Sequence, residues 1–231
     1  MKRISLITHH YNSHDKAQHL LDHLASIGKD VTDQIEIIIV DDCSDTRQVL
    51  NSHGLDLKHL RVVDDIPWNQ AGARNLGALT ANGEWLLYFD MDQLLSDQGL
   101  HYVVTHAASL DRNLMYFFLV DNFIDSNINQ QLAVHPNTFL VHAAQFRING
   151  MYDEDFAGHY GYEDIYLPYL WEKNGGMRAM IGEVPFFRDQ DFKTTSLSRD
   201  LEHNKLVSRM KFAQGLKRPK SFVRFEWEVV S

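Results

Sequence analysis

The chain has 231 residues, of which 44 % are hydrophobic and 23 % charged, and its formal net charge is −9. That apolar content excludes a disordered chain, and no run of about 18 apolar residues offers a membrane span. The charge is uneven: residues 1–192 hold 13 Lys and Arg against 27 Asp and Glu, a net of −14, while residues 193–231 hold 9 against 4, a net of +5. An acidic body of this kind excludes nucleic acid as the expected partner and makes a bound divalent cation a candidate explanation. The single cysteine, Cys43, allows no internal disulfide, and the apolar stretch in MKRISLITHHYNS is too short for a signal peptide. Together they lead to the expectation of a cytoplasmic protein.

In chain order, Ile4 to Thr8 predicts a buried strand, followed by a polar loop from His9 to Ser13. Leu20, Leu21, Leu24 and Ile27 recur at helical spacing over 15–27, and Gly28 supplies a stop. The run IEIIIV at 35–40 is apolar on both alternating faces, as in a parallel strand covered on each side, and it ends in the acids Asp41 and Asp42. The pattern repeats with a strand at 60–63, a helix at 71–81, the turn Asn82-Gly83 and a strand at 85–89. That strand ends in Asp90-Met91-Asp92. A helix at 97–110 and strands at 115–120 and 138–141 follow. Beyond a loop at 149–161, a helix at 163–173 contains Pro168, which predicts a kink or a late start. The remainder reads as a strand at 179–184, a basic helix at 198–214 and an edge strand within 221–230. Strands alternating with helices predict an α/β fold with a mostly parallel sheet flanked by helices.

Ligands of such sheets sit beyond the carboxyl ends of the strands. The first strand-to-helix loop, THHYNSHD, has no glycine, which disfavours both a dinucleotide fingerprint and a P-loop. Asp90 and Asp92, one residue apart at a strand end, instead offer oxygen ligands for Mg²⁺ or Mn²⁺ shared with substrate phosphates. A solvated turn is the alternative.

The ordered blocks Thr8-x-x-Tyr11-Asn12, Val40-Asp41-Asp42-x-Ser44, Ala73-Arg74-Asn75-x-Gly77-Ala78, Phe89-Asp90-Met91-Asp92 and Asn149-Gly150-Met151-Tyr152-Asp153-Glu154-x-Phe156 lead to Gly161-Tyr162-Glu163-Asp164. In this order the chain resembles the GT-A glycosyltransferases, nearest to the inverting family 2 type, over residues 3–192. The resemblance implies a Rossmann-like GT-A fold and a nucleotide-sugar donor, usually a UDP-sugar. It implies that Thr8, Tyr11 and Asp42 hold the nucleobase, that Arg74 reaches the donor or the carboxylates, and that Asp92, with Asp90, holds Mn²⁺ or Mg²⁺ and the diphosphate. It implies further that Asp164 is the general base and that Glu163 binds the acceptor. The helix start at these two residues is expected to keep the carboxylates ionised. Asp191 and His203 are candidates for a third metal ligand, and Tyr162 stands where many relatives have glycine.

On this reading residues 1–192 form the catalytic domain, with a nucleotide half at about 1–95 and an acceptor half at about 96–192, and residues 193–231 form a basic extension packed on it. The reaction is an inverting hexosyl or N-acetylhexosaminyl transfer to a glycan or lipid-linked glycan, as in polysaccharide or lipopolysaccharide biosynthesis. The tail, with Lys217-Arg218-Pro219-Lys220 and Phe222, Arg224, Phe225 and Trp227, suits either an anionic membrane surface or a fold back over the site. Two other readings stay open: a sugar-nucleotide binding module without catalysis, and a haloacid-dehalogenase type phosphatase built on Asp90-Met91-Asp92. The pair His19 and His23 has a zinc-compatible spacing but lacks a third ligand at a motif spacing, so a solvated helix face is expected there.

Overall fold

The computed structural model describes residues 2–125, 130–181, 187–189, 198–215 and 221–231, with side chains described outside 122–133. Ten strands form one sheet: β1 (Ile4–His10), β2 (Ile35–Asp41), β3 (Leu57–Val62), β4 (Trp85–Tyr88), β5 (Gln93–Leu95), β6 (Leu114–Asp125), β7 (Gln130–His142), β8 (Met177–Met180), β9 (Phe187–Asp189) and β10 (Trp227–Val229). Their order is β10-β3-β2-β1-β4-β7-β6-β9-β5, with β8 also paired to β6. Strands β3, β2, β1 and β4 are mutually parallel. The sheet changes direction at β7, which is antiparallel to both β4 and β6.

The helices are α1 (His14–Ala25), α2 (Lys29–Thr32), α3 (Gln70–Thr80), α4 (Asp97–His106), α5 (Ala143–Asn149), α6 (Glu163–Lys173) and α7 (Glu202–Gln214). Alternation along the strands divides the core into two layers. Ile4, Leu6, Ile37, Ile39 and Leu87 pack with Leu20, Leu21 and Leu24 of α1 and Leu100 and Val103 of α4. Ile7, Ile38, Val40, Leu86 and Tyr88 pack with α3, with Phe146 of α5 and with Leu167 and Trp171 of α6. Helix α3 lies close to the sheet because its residues are small: a Cβ added at Gly77 would stand 2.5 Å from Cγ2 of Ile7.

The structure departs from the sequence reading in several places, while α6 keeps the expected bounds. Strands β6 and β7 form a hairpin much longer than the two short runs expected, because pairing recruits a polar stretch that carries no apolar alternation. Strand β5 and helix α5 have no counterpart in that reading; α5 ends on Gly150, whose φ of 104° makes the left-handed cap. Helix α6 begins at Glu163 and continues through Pro168 to Lys173. Pro168 there denies a backbone donor to the carbonyl of Asp164, one turn earlier.

The C-terminal residues are fastened to the body. Asn204 on α7 donates to the carbonyls of Phe156, His159 and Gly161 at 2.8–2.9 Å. Phe225 is buried against α3, Arg224 pairs with Asp155, and Trp227 lies in β10 along β3. These contacts bury Phe225 and hold Arg224, which stays exposed, in an ion pair. Lys217, Arg218, Pro219 and Lys220 lie outside the described residues, as does Asp191. Among the described residues no helix is long and apolar enough to cross a membrane.

Glu36 on β2 is a buried carboxylate that ties four segments together. Its oxygens accept from Ser5 Oγ at 2.5 Å, Lys58 Nζ at 2.9 Å and Gly83 N–H at 2.8 Å, and also from Asn82 N–H. Burial pushes its pKa up, but these donors outweigh burial and hold it below the usual glutamate value. Its stabilisation is therefore present above the unfolded-state pKa and is lost as pH falls through the folded value. Glu36→Ala strands the Lys58 ammonium and the buried N–H groups. It is expected to cost about 3–5 kcal/mol in urea unfolding at pH 7. The cost should shrink as pH falls below the usual glutamate range and through the lowered value of the folded carboxylate.

Candidate active site

The carboxyl ends of β2, β1 and β4 lie side by side in the sheet, and a cavity of about 310 Å³ opens beyond them. The loop after β1 contributes Tyr11, and the turn after β2 contributes Asp42. The segment before α3 contributes Asp65 and Trp68, and the turn after β4 contributes Asp90 and Asp92. Four segments distant in sequence thus converge because parallel strands all point their ends the same way. Thr8 is not among these lining residues: it is fully buried in β1, opposite Ile39, with its hydroxyl unpartnered.

Arg74 sits behind the cavity, with no exposure. One guanidinium nitrogen forms an ion pair with Asp90, and the other donates to the Tyr152 hydroxyl at 2.8 Å and the Asn137 carbonyl at 3.4 Å. The second Asp90 oxygen faces Asn137 Nδ2 at 3.4 Å and His135 Nε2 at 3.5 Å. Burial opposes ionisation of Asp90, but Arg74 and then His135 hold its pKa below the usual aspartate value. Tyr152 belongs to a block that the sequence reading singled out, though not as a site residue. His135 and Asn137 lie on β7, far from any recognisable motif, and only the sheet order reveals them.

Asp42 behaves in the opposite way. Burial without a cationic partner raises its pKa to about 7, offset only in part by a hydrogen bond from Asn69 Nδ2 at 3.2 Å. Glu163 and Asp164 open α6 after Tyr162, whose φ of 73° places a non-glycine residue in the left-handed region. The expectation that the helix start keeps both acids fully ionised is not met for Glu163. Burial first, and then Asp164, push its pKa to about 7. Asp164 is also raised, by burial against a backbone hydrogen bond from Ile165, with Asp90 adding to the rise. Desolvation outweighs the helix dipole here because the dipole is worth only about 0.3–1 kcal/mol.

Asp164 lines a second cavity, of about 530 Å³, together with Ile165 and Pro168 of α6, Phe117 of β6 and Ala179 and Met180 of β8. The rim of the first cavity is tied to the loop that precedes α6: Gly158 N–H donates to the Pro67 carbonyl at 2.8 Å, and the Trp68 ring lies 4.6 Å from that of Tyr160. His203 stacks on His159 with ring centroids 3.6 Å apart and lines neither cavity. His10, His14 and Asp41 bring three ligating atoms within 4.8 Å of one another, a possible metal-holding group. His23 Nε2 donates to the Leu95 carbonyl, 2.8 Å away.

The sequence profile of glycosyl transferase family 2 matches residues 5–214. A Haemophilus influenzae protein described as an uncharacterized glycosyltransferase is 34 % identical over 90 residues, which is 38 % of this chain and 29 % of that protein. Among solved structures, S. aureus TarS 1-349 in complex with UDP-GlcNAc superposes with a TM-score of 0.68 at 17 % identity, covering 90 % of this chain and 65 % of that one. The complex of the same protein with UDP gives a TM-score of 0.59 at 17 % identity, over 80 % of this chain and 60 % of that one. The shared feature is the GT-A fold, a mixed α/β sheet flanked by helices. The chain spans less than two thirds of the length of each of these relatives.

The raised pKa of Asp42 has a stability consequence. The folded state holds this proton more tightly than the unfolded chain, so the associated stability is full below about pH 4 and is lost as pH rises through about 7. Asp42→Asn should therefore gain stability over wild type between pH 5 and pH 8, by up to about 4 kcal/mol in paired urea titrations. A gain that does not vary with pH would contradict the assignment.

Proposed function

The chain belongs to glycosyl transferase family 2, and from that premise we propose that it is an inverting transferase. It moves a sugar from a UDP-sugar to a hydroxyl of a glycan or lipid-linked glycan. The observation that carries the reading is a single cavity lined at once by Tyr11, Asp42, Asp90 and Asp92, with Asp164 opening the neighbouring cavity. UDP is favoured over other nucleotides because TarS is solved with UDP-GlcNAc and with UDP.

In this reading Tyr11 covers the uracil face and Asp42 accepts the imide N–H when ionised. Thr8, fully buried, acts by shaping the strand end and not by contact. The hard oxygen donors of Asp90 and Asp92 suit Mn²⁺ or Mg²⁺. By the family resemblance Asp92 is the direct ligand, and Asp90, whose oxygens face Arg74, Asn137 and His135, holds the turn in place. When bound, such an ion supplies positive charge against the developing charge of the leaving diphosphate. Arg74 adds to the positive field from behind the turn.

Asp164 takes the proton of the acceptor hydroxyl as that oxygen attacks the anomeric carbon and the nucleotide leaves from the opposite face. Its raised pKa suits this task, because a base works best when its pKa approaches the working pH. Glu163 orients the acceptor hydroxyl by hydrogen bonding. The apolar lining of the second cavity, with Phe117, Ile165 and Met180, fits the hydrophobic part of a lipid-linked acceptor. A cytoplasmic location with peripheral contact to an anionic membrane belongs to the same proposal. The phosphatase alternative loses its support, since the Asp-x-Asp turn follows β4 in a chain of a different family.

UDP with Mn²⁺ is expected to raise the melting temperature, and Asp92→Ala to remove that shift. No response to any nucleoside diphosphate would sink the transferase reading. Asp164→Asn should bind UDP as wild type does while its transfer rate drops by about 10²–10⁴-fold. Undiminished turnover would reject Asp164 as base, and a wild type that binds UDP but transfers no sugar from any donor tested would favour the binding-module reading.

A further inference from the structure

The carboxyl ends of β1 and β2 hold a group of side chains that the transfer chemistry does not use. His10 and Asp41 stand opposite each other in the β1–β2 ladder, so their side chains share a face. His14, in the first turn of α1, completes the group. Its Nε2 is 3.6 Å from Oδ2 of Asp41, and its ring meets that of His10 edge-on at 4.7 Å. All three are buried, at 3 %, 8 % and 1 % exposure. Neither ring nitrogen of His10 has a hydrogen-bond partner, and neither has Nε2 of His14. Buried imidazole nitrogens are ordinarily satisfied, so three in one place call for a ligand.

We propose that His10, His14 and Asp41 form a zinc site, separate from Asp90 and Asp92, that pins the two loops from which Tyr11 and Asp42 extend. Two imidazole nitrogens and one carboxylate oxygen are a donor set that zinc accepts, with water in the fourth position. His59, fully buried with both ring nitrogens unpartnered and its ring 6.3 Å from that of His10, can accept from that water. Arg61 donates to Asp41 and, at 2.6 Å, to the Ser44 carbonyl. It acts as the outer partner that fixes the carboxylate. Because Arg61 already offsets the charge of Asp41, an ion that depends on carboxylate charge gains little here. One that prefers imidazole gains two nitrogens, which selects zinc over magnesium. This inference does not rest on the transferase reading.

The test uses the 231-residue chain without a histidine tag, stripped with a chelator and then dialysed against micromolar Zn²⁺. About one equivalent should remain by elemental analysis, with a higher melting temperature than the stripped protein. Co²⁺ in place of zinc should give the intense visible bands of a four-coordinate site. His14→Ala, at the start of α1, should lose the retained zinc and the cobalt bands, while Asp92→Ala keeps both. Wild type that retains no zinc, a pale six-coordinate cobalt spectrum, or zinc retained in His14→Ala but lost in Asp92→Ala would each overturn the proposal. The cobalt spectrum is read on wild type alone, so it decides even where a variant fails to fold.

Discussion

The buried ion pair between Arg74 and Asp90 is the constraint around which the rest of the site is arranged. A guanidinium with no solvent exposure needs a countercharge and further acceptors, because removing its hydration costs several kcal/mol. The structure supplies them from the turn after β4, from β7 and from the loop after α5. Those three segments are therefore fixed relative to α3, and through α3 relative to β1 and β2. Nearby, Asn75 reinforces the arrangement by exchanging hydrogen bonds with the Tyr152 backbone and donating to Glu154. Glu154 in turn accepts from the backbone N–H groups of Val223 and Arg224, which carries the same framework into the C-terminal residues.

The carboxylates of the site fall into two groups according to whether burial is compensated. Asp90 has Arg74 and stays ionised. Asp42, Glu163 and Asp164 are desolvated without a direct cation, and their pKa values rise. The site thus holds one ionised carboxylate, paired with Arg74, beside Asp42 and Glu163, whose pKa values of about 7 let them gain or lose a proton near neutrality. That division suits a cleft that must present charge at one point and handle protons at another.

Directional contacts attach the C-terminal segment, in addition to the apolar packing of Phe225. Asn204 closes three carbonyls of the loop that precedes α6, Lys211 pairs with Asp153 and Asp155, and Trp68 donates to the Ser198 carbonyl. The loop that delivers Glu163 and Asp164 is held from outside the sheet by these bonds. Its backbone also carries positive φ at Gly158, Gly161 and Tyr162. A left-handed Tyr162 is costly, and its neighbours keep it there.

Local rules made much of the chain readable in sequence. The continuous β-branched run of β2, the helical spacing of α1 and α3, and the acids at the ends of β2 and β4 follow from periodicity and from the geometry of parallel sheets, which depend only on neighbours in sequence. The family resemblance, carried by short ordered blocks, foresaw that Tyr11, Asp42, Asp90 and Asp92 belong together. Tertiary structure alone decided the remainder. It placed Thr8 inside the sheet, recruited the polar half of the β6–β7 hairpin by pairing, and brought His135 and Asn137 to Asp90 across strand neighbours that no sequence spacing encodes. It also raised Glu163 and Asp164 against the helix dipole, because desolvation is set by everything that surrounds a group in space. Residue identity and short-range order are written along the chain, whereas burial, countercharge and protonation belong to the packed fold.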